Sequence, residues 1–441
     1  MPAEQQNNKS RTSGRRSGRL SVRRILGLLG PGLVTGAADD DPGGIGTFVQ
    51  VGSQFGYSLL WASVLILPLM AAVQELCARI ALETKVGLGV SLRRKFPRWL
   101  VAISILGLLL ANTLNLGADL GAVAAGIDLL TGRAVKAIWL VVPVAAIVLA
   151  FQVVGRYQLI FKTFKWLTLV LFAYLGAAIL SRPNLKELVL DGLVPHPQLS
   201  FAYATAITAI LGTSISPYLF FWQAASEAEE EQSGGPTSRR PHHLSWQRLR
   251  DARADVFIGM TIAQAVMFCI LVTSAATLHA HGKTDVQSAT EAASTLAPIA
   301  GPFASLLFAV GLIGTGLLAI PVLSGSAAYA FREFFRWREG FDSSVVQGWH
   351  FYGVIVAATA AGVLLNLIGV NPIKALFVSA VVNGVVAPPL LVLIVLLGSD
   401  RKIMQSKASG RLSLSLGWLA ALIMSVAAAA ELISLLVNVK G

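Results

Sequence analysis

The sequence has little charge and almost no cysteine. Only 13% of its 441 residues are charged, whereas 55% are hydrophobic, and this composition is too apolar for a soluble globular protein of this size. Its two cysteines, Cys77 and Cys269, lie inside apolar runs, which favours small buried side chains over a disulfide or a metal site. Strand-like alternation is also absent, so we predict that the chain crosses a membrane as helices.

Motifs of common enzymes are missing as well. The chain contains no His-Glu-x-x-His motif, no Gly-x-Ser-x-Gly motif and no glycine-rich phosphate loop, so nothing supports the alternative of a membrane enzyme or predicts a bound cofactor. The first apolar run holds a Pro-Gly break and acidic residues, unlike a cleaved signal peptide.

Apolar stretches of helical length recur from end to end. We predict an all-α polytopic membrane protein with about eleven spans, at roughly 26–53, 56–82, 99–130, 134–154, 162–181, 200–226, 255–280, 296–320, 349–368, 372–398 and 412–437. The predicted organisation is a basic tail at 1–25, a core at 26–398 and a peripheral helix at 412–437. No separate soluble domain fits between these parts.

The net charge of +12 reflects topology rather than a nucleic-acid partner, because the basic residues cluster in alternate loops. If the tail is cytoplasmic, 28 of the 35 Lys and Arg residues lie inside. The seven outside are Arg133, Lys136, Arg182, Lys186, Lys283, Lys374 and Lys440. The positive-inside rule therefore predicts an inner-membrane protein with a cytoplasmic N-terminus and an external C-terminus.

The first span is interrupted near its middle by Asp39-Asp40-Asp41-Pro42-Gly43-Gly44. An ionised aspartate at the centre of a membrane costs roughly 2.5–3.5 kcal/mol, so this position indicates a functional site rather than packing. Proline removes a helical hydrogen bond and glycine permits unusual dihedral angles, so we expect the helix to unwind there and free carbonyl groups for an ion.

The sixth span repeats this design with Gly212-Thr213-Ser214-Ile215-Ser216-Pro217-Tyr218, five spans after the first break. Many proline kinks in membrane helices bind no ligand. For the second break taken alone, a packing kink and a ligand site are about equally supported. Two breaks at equivalent places in two five-helix halves, 26–181 and 200–398, are nevertheless typical of an inverted-repeat transporter with its site between them.

Around these residues the chain resembles the Nramp superfamily of divalent metal transporters. The family carries an Asp-Pro-Gly-Asn motif in helix one and an Ala-x-x-Met-Pro-His motif in helix six. The similarity extends over nearly the whole chain, through Gly30-Pro31-Gly32, Asp41-Pro42-Gly43, Gly56-Tyr57, Leu60-Trp61, Gln74, Ala78-Arg79 and Gly301-Pro302. The resemblance implies a LeuT-type fold of 5+5 inverted repeats and transport by alternating access.

Four motif positions depart from the family pattern. Gly44 replaces the asparagine ligand, Thr213 the alanine, Ser216 the methionine and Tyr218 the histidine. Methionine sulfur favours transition metals, whereas oxygen ligands suit magnesium and manganese. We also expect Gly44 to enlarge the pocket, which suits a magnesium ion that keeps its waters. This pattern is similar to the Nramp-related magnesium transporters.

The resemblance implies a metal site formed by Asp41, Gly44, Thr213 and Ser216, with backbone carbonyls near Ala38 and Thr213. Other polar residues inside the predicted spans are candidates for the surroundings of the site or for the transport pathway. They are Asn112, Asn115 and Asp119, which share one helix face, together with Tyr218 and Asn383. Hydrogen bonding between helices is an equally weighted alternative for the asparagines and Asp119.

The family's proton pathway is incomplete in this chain. The helix-six histidine is Tyr218, one helix-three carboxylate position holds Leu116 while Asp119 is kept, and the ninth span contains no arginine. We therefore predict import of Mg2+, and of Mn2+, without coupling to protons. The alternatives are a proton-coupled Mn2+ or Fe2+ carrier and a transporter of an organic solute, which would have little need for Asp41.

Overall fold

A computed structural model describes residues 30–132, 134–154, 172–192, 194–195, 198, 200–232, 246–337, 340, 346–404 and 409–438. Within these ranges the regular structure is helical, as predicted. The α-helices are α1 (Pro31–Asp39), α2 (Pro42–Phe55), α3 (Leu60–Thr84), α4 (Leu88–Lys95), α5 (Arg98–Leu130), α6 (Ala137–Val154), α7 (Ala173–Leu180), α8 (Leu185–Leu190), α9 (Phe201–Ser214), α10 (Pro217–Gln232), α11 (Trp246–Thr277), α12 (Ala289–Ala293), α13 (Ala297–Ala300), α14 (Ala304–Phe335), α15 (Trp349–Leu367), α16 (Pro372–Gly398), α17 (Arg401–Met404) and α18 (Arg411–Asn438). Eight helical segments of the described chain are long and apolar enough to cross a membrane.

The break predicted in the first span is present between α1 and α2. Helix α1 ends at Asp39, and Asp40 leaves the helical region with ψ of 44°. Asp41 has an extended backbone, with φ of −74° and ψ of 167°, and is the N-cap of α2. Pro42 then occupies the first helical position, where its missing N–H costs nothing.

The second predicted break is present between α9 and α10. Helix α9 ends at Ser214, Ile215 has φ of −113° and ψ of 58°, and α10 begins at Pro217. Proline starts the second half-helix here as it does in α2. Both interruptions thus follow from the same local chemistry.

Helix α1 lies in backbone contact with α11. A Cβ atom added to Gly36 would stand 2.5 Å from the carbonyl carbon of Gly259, and one added to Gly32 would stand 2.5 Å from the amide nitrogen of Val256. Only glycine permits this approach. Helix α5 packs against α14, α15 and α16, so that the breaks are enclosed by long helices.

The remaining predicted spans compare with the structure as follows. The eighth was predicted at 296–320, whereas α14 begins at Ala304 and continues to Phe335. Near its end Glu333 is buried and accepts a hydrogen bond from Gly89 N at 2.6 Å. Residues 1–25 and the first half of 162–181 lie outside the described residues. Helix α18 packs on α3, α9 and α16, and Thr205 Oγ1 donates to Glu431 of α18 at 2.6 Å.

Candidate functional site

The carboxylate of Asp41 lies at the first break and is buried, with 3% of the residue exposed. Its Oδ1 accepts a hydrogen bond from Gly44 N at 2.6 Å, which is the usual contact of an aspartate N-cap. The positive end of the α2 dipole also favours a negative charge at this place. The local sequence therefore fixes the carboxylate at the start of α2.

The other oxygen of Asp41 is bound by side chains from two distant helices. Oδ2 accepts from Asn115 Nδ2 of α5 at 3.0 Å and from the Tyr218 hydroxyl of α10 at 3.2 Å. The same hydroxyl lies 2.9 Å from the carbonyl oxygen of Ala38, in the last part of α1. Tyr218 thereby joins the second break to both sides of the first.

Asn115 is itself held by α16. Ser379 Oγ donates to Asn115 Oδ1 at 2.8 Å, so the amide oxygen is engaged and its NH2 group faces Asp41. Sequence reasoning identified Asn115 but not Ser379, because a serine inside an apolar span has no distinctive pattern. The chain of contacts from Ser379 through Asn115 to Asp41 fixes the orientation of the carboxylate.

The second break presents buried hydroxyl and carbonyl groups. Thr213 is 5% exposed and Ser216 is 1% exposed. Ser216 Oγ donates to the carbonyl oxygens of Gly212 at 2.7 Å and Thr213 at 2.8 Å. The hydroxyl oxygen keeps lone pairs with which it can accept another hydrogen bond.

The structure corrects the expectation of spare volume at Gly44. A Cβ added there would overlap the terminal methyl group of Met267, from α11, and would lie 3.3 Å from its sulfur. The space left by the absent asparagine side chain is therefore occupied by a methionine. Sequence reasoning missed Met267 because a methionine in an apolar helix is ordinarily a packing residue.

Two other polar residues of α5, Asn112 and Asp119, differ in their contacts. Asn112 Nδ2 donates to Leu323 O at 3.0 Å and to Ser326 Oγ at 2.7 Å, so it forms hydrogen bonds between α5 and α14. Asp119 is fully buried, and neither carboxylate oxygen has a hydrogen-bond partner among the described residues. Asn383 is buried on α16, and its Oδ1 likewise has no partner in the described part of the chain.

The surroundings of Asp41 hold an excess of acidic groups. Asp39 and Asp40 are 2% and 5% exposed, and one oxygen of each has no partner among the described residues. The ion pairs of the described residues include none of these three aspartates or Asp119. Buried carboxylates without a basic partner are costly, so this region is suited to attract a cation.

The arrangement lacks the density of side-chain ligands found in a tightly binding metal site. No group of three or more His, Cys, Asp and Glu residues is placed to hold a metal ion in the described chain. An ion beside Asp41 would instead meet one carboxylate, hydroxyl groups and carbonyls at the ends of the broken helices, among which Ala38 O and Thr213 O already accept hydrogen bonds from Tyr218 and Ser216. Such oxygen atoms suit hard cations that keep part of their water.

Sequence comparisons identify a family and two similar relatives. The family model described as "Natural resistance-associated macrophage protein-like" (Nramp) matches residues 32–434. The chain is 30% identical to the divalent metal cation transporter MntH of Deinococcus radiodurans, over 92% of this chain and 89% of the relative. It is 28% identical to MntH of Aeromonas hydrophila, over 86% of this chain and 88% of the relative.

Structure comparisons agree on the fold. The manganese transporter of Eremococcus coleocola superimposes with a TM-score of 0.70 at 20% identity, covering 96% of this chain and 89% of that one. Mhp1, a nucleobase-cation-symport-1 family transporter, superimposes with a TM-score of 0.57 at 16% identity, covering 92% and 90%. At these identities the likeness concerns the arrangement of helices.

Proposed function

The chain belongs to the Nramp family and is a divalent metal cation transporter rather than an enzyme, and we propose that it imports Mg2+ and, as a second substrate, Mn2+. Within the family we assign it to the Nramp-related magnesium transporters. The observation that carries this proposal is the buried Asp41 carboxylate at a helix break, which has buried Asp39 and Asp40 beside it in sequence and no basic partner among the described residues.

The preference for magnesium rests on the chemistry of the second break. Ser216 stands where the family motif has methionine, so this position offers a hydroxyl oxygen in place of a thioether. Magnesium gives up its waters reluctantly and is usually bound with several of them. Contacts mediated by water are nearly as strong as direct hydrogen bonds, so Thr213, Ser216 and the Ala38 carbonyl can hold the hydrated ion.

Transport proceeds by alternating access in this proposal. The half-helices α1 and α10 meet at Tyr218, whose hydroxyl contacts Ala38 O and Asp41 Oδ2. Movement of either half-helix changes these contacts and exposes Asp41 to one side of the membrane. The excess of basic residues in alternate loops supports a cytoplasmic N-terminus and an external C-terminus in the plasma membrane.

A second candidate is proton-coupled import of manganese. The buried Asp119 favours it, because a carboxylate that has no hydrogen-bond partner among the described residues can take up a proton. The similar proteins, a divalent metal cation transporter of Deinococcus radiodurans and a manganese transporter of Eremococcus coleocola, point in the same direction. An organic solute has less support, because it gives no role to the acidic residues around Asp41.

Uptake into proteoliposomes tests the proposal. The purified protein should accumulate Mg2+, and Mn2+ should compete with it, while Asp41→Ala should nearly abolish both. Asp191→Asn, which alters an exposed carboxylate at the end of α8, is the matched control and should transport normally. Near-normal uptake by a folded Asp41→Ala protein would overturn the assignment of the site, and uptake of Mn2+ without Mg2+ would overturn the assignment of the substrate.

A further inference from the structure

Met267 reaches the transport site from a helix that is not broken. It lies on α11, is 2% exposed, and its terminal methyl group overlaps the position that a Cβ of residue 44 would take. The position that a Cβ of residue 44 would take is 3.3 Å from the Met267 sulfur and 3.3 Å from the carbonyl oxygen of Asp39. The sulfur and this carbonyl therefore border the same small space.

This space adjoins the carboxylate of Asp41. Gly44 is the residue whose amide donates to Asp41 Oδ1, at 2.6 Å, so the methionine end packs on the turn that holds the carboxylate. Any side chain at position 44 would collide with the Met267 methyl group. The absence of a side chain at Gly44 is thus the condition that lets Met267 approach.

We propose that the Met267 thioether is a ligand of the transport site and lets it accept a softer divalent cation, Cd2+, beside Mg2+ and Mn2+. The proposal rests on the proposed function, because it places the ion at Asp41. It also revises the expected chemistry of the site. The second break lacks the sulfur atom of the family motif because Ser216 stands in place of methionine, and Met267 supplies a sulfur atom from α11.

The flexibility of methionine makes this role possible. The terminal methyl is now the nearest Met267 atom to Gly44, with the sulfur one bond behind it. Methionine has three rotatable bonds, so a rotation near its end turns a sulfur lone pair toward the space in place of the methyl. Sulfur favours softer metals and contributes little to magnesium, which prefers oxygen.

Met267→Leu is the decisive variant, because leucine keeps the apolar volume and removes the sulfur. Uptake of Mg2+ would be measured with Cd2+ and Mn2+ as competitors. We expect the affinity for Cd2+ relative to Mg2+ to fall about tenfold, with little change for Mn2+, which prefers oxygen ligands. Met260→Leu, which changes a fully buried methionine two turns earlier on α11, is the control and should leave the ratio unchanged.

The outcomes separate this proposal from the function on which it rests. A wild-type protein that takes up neither Mg2+ nor Mn2+ would refute the function itself. Normal wild-type uptake with an unchanged Cd2+ to Mg2+ ratio in Met267→Leu would refute the role of Met267 alone. If that variant fails to fold, X-ray absorption of Cd2+ bound to the wild-type protein gives the answer, since the proposal requires a sulfur neighbour and an all-oxygen shell would overturn it.

Discussion

At the residue scale, the carboxylate of Asp41 is oriented by groups far apart in the sequence. Its two oxygens are held by Gly44 N, by Asn115 and by Tyr218, and Asn115 is held in turn by Ser379. Hydrogen bonds to a charged group contribute about 1.5–3 kcal/mol each, so they can position the carboxylate before an ion arrives. The site is therefore preorganised through its supporting contacts.

Removal of the Asn115 amide should weaken metal binding without abolishing transport. We expect Asn115→Ala to raise the half-saturating Mg2+ concentration about tenfold, because Asp41 loses one of its fixed partners. Ser379→Ala, which only releases the asparagine, should have a smaller effect, and the double variant should resemble Asn115→Ala. The concentration dependence of uptake measures these effects.

Asn112→Ala is the control for this series. Asn112 lies one turn from Asn115 on α5 but binds Leu323 O and Ser326 of α14, so its removal should lower the melting temperature more than it changes the half-saturating concentration. An Asn115→Ala protein with wild-type concentration dependence would show that the amide does not orient Asp41.

At the element scale, the N-terminal end of α1 is capped by a residue of α11. The buried carboxylate of Asp255 accepts from Gly30 N at 3.0 Å, Gly32 N at 2.7 Å and Leu33 N at 3.2 Å. These are donors at the start of α1 that have no partner within the helix. The cap and the glycine contacts between the two helices fix this half of the broken helix against α11.

Loss of this cap should loosen α1. Asp255→Ala leaves three backbone donors without their partner, at a cost of about 1–3 kcal/mol for each donor that stays buried. We expect hydrogen exchange of the amides in residues 30–39 to become faster, with little change in α14. Asp251→Ala, one turn earlier on α11, is the control. Unchanged exchange in the Asp255→Ala protein would contradict the role of the cap.

Sequence alone located both helix breaks, because proline beside acidic or small polar residues is a local signal within an apolar run. It also singled out Asn115 and Tyr218, both of which contact Asp41. It did not find Ser379, Asp255 or Met267, whose partners lie more than 200 residues away and whose own surroundings look like ordinary span sequence. The spare volume expected at Gly44 was wrong for the same reason: a sequence shows which side chain is missing, but only packing shows what fills its place.

At the scale of the whole molecule, the question is what drives the ion across the membrane. Proton coupling requires groups that gain and lose a proton near neutral pH and that lie along a path to water. The histidine of the family motif is replaced by Tyr218, whose hydroxyl is engaged with Ala38 O and Asp41. A phenol normally titrates near pH 10, so it is a poor carrier of protons in the cell. Helix α15, which is the ninth predicted span, contains no arginine. Of the two family carboxylate positions in the third predicted span, now α5, only Asp119 holds an acidic residue.

Uptake should therefore be driven by the metal gradient and the membrane potential alone. An uncoupled divalent ion moves two charges, and a potential of 100 mV then contributes about 4.6 kcal/mol to accumulation. In vesicles with a potassium-diffusion potential that is negative inside, we expect Mg2+ uptake to rise with the potential, while an internal pH dye stays constant. Acidification in proportion to the metal, lost in Asp119→Asn, would instead identify Asp119 as a proton carrier. Acidification that persists in Asp119→Asn would place the proton carrier at another group. In both cases the inference that transport is uncoupled from protons would be wrong.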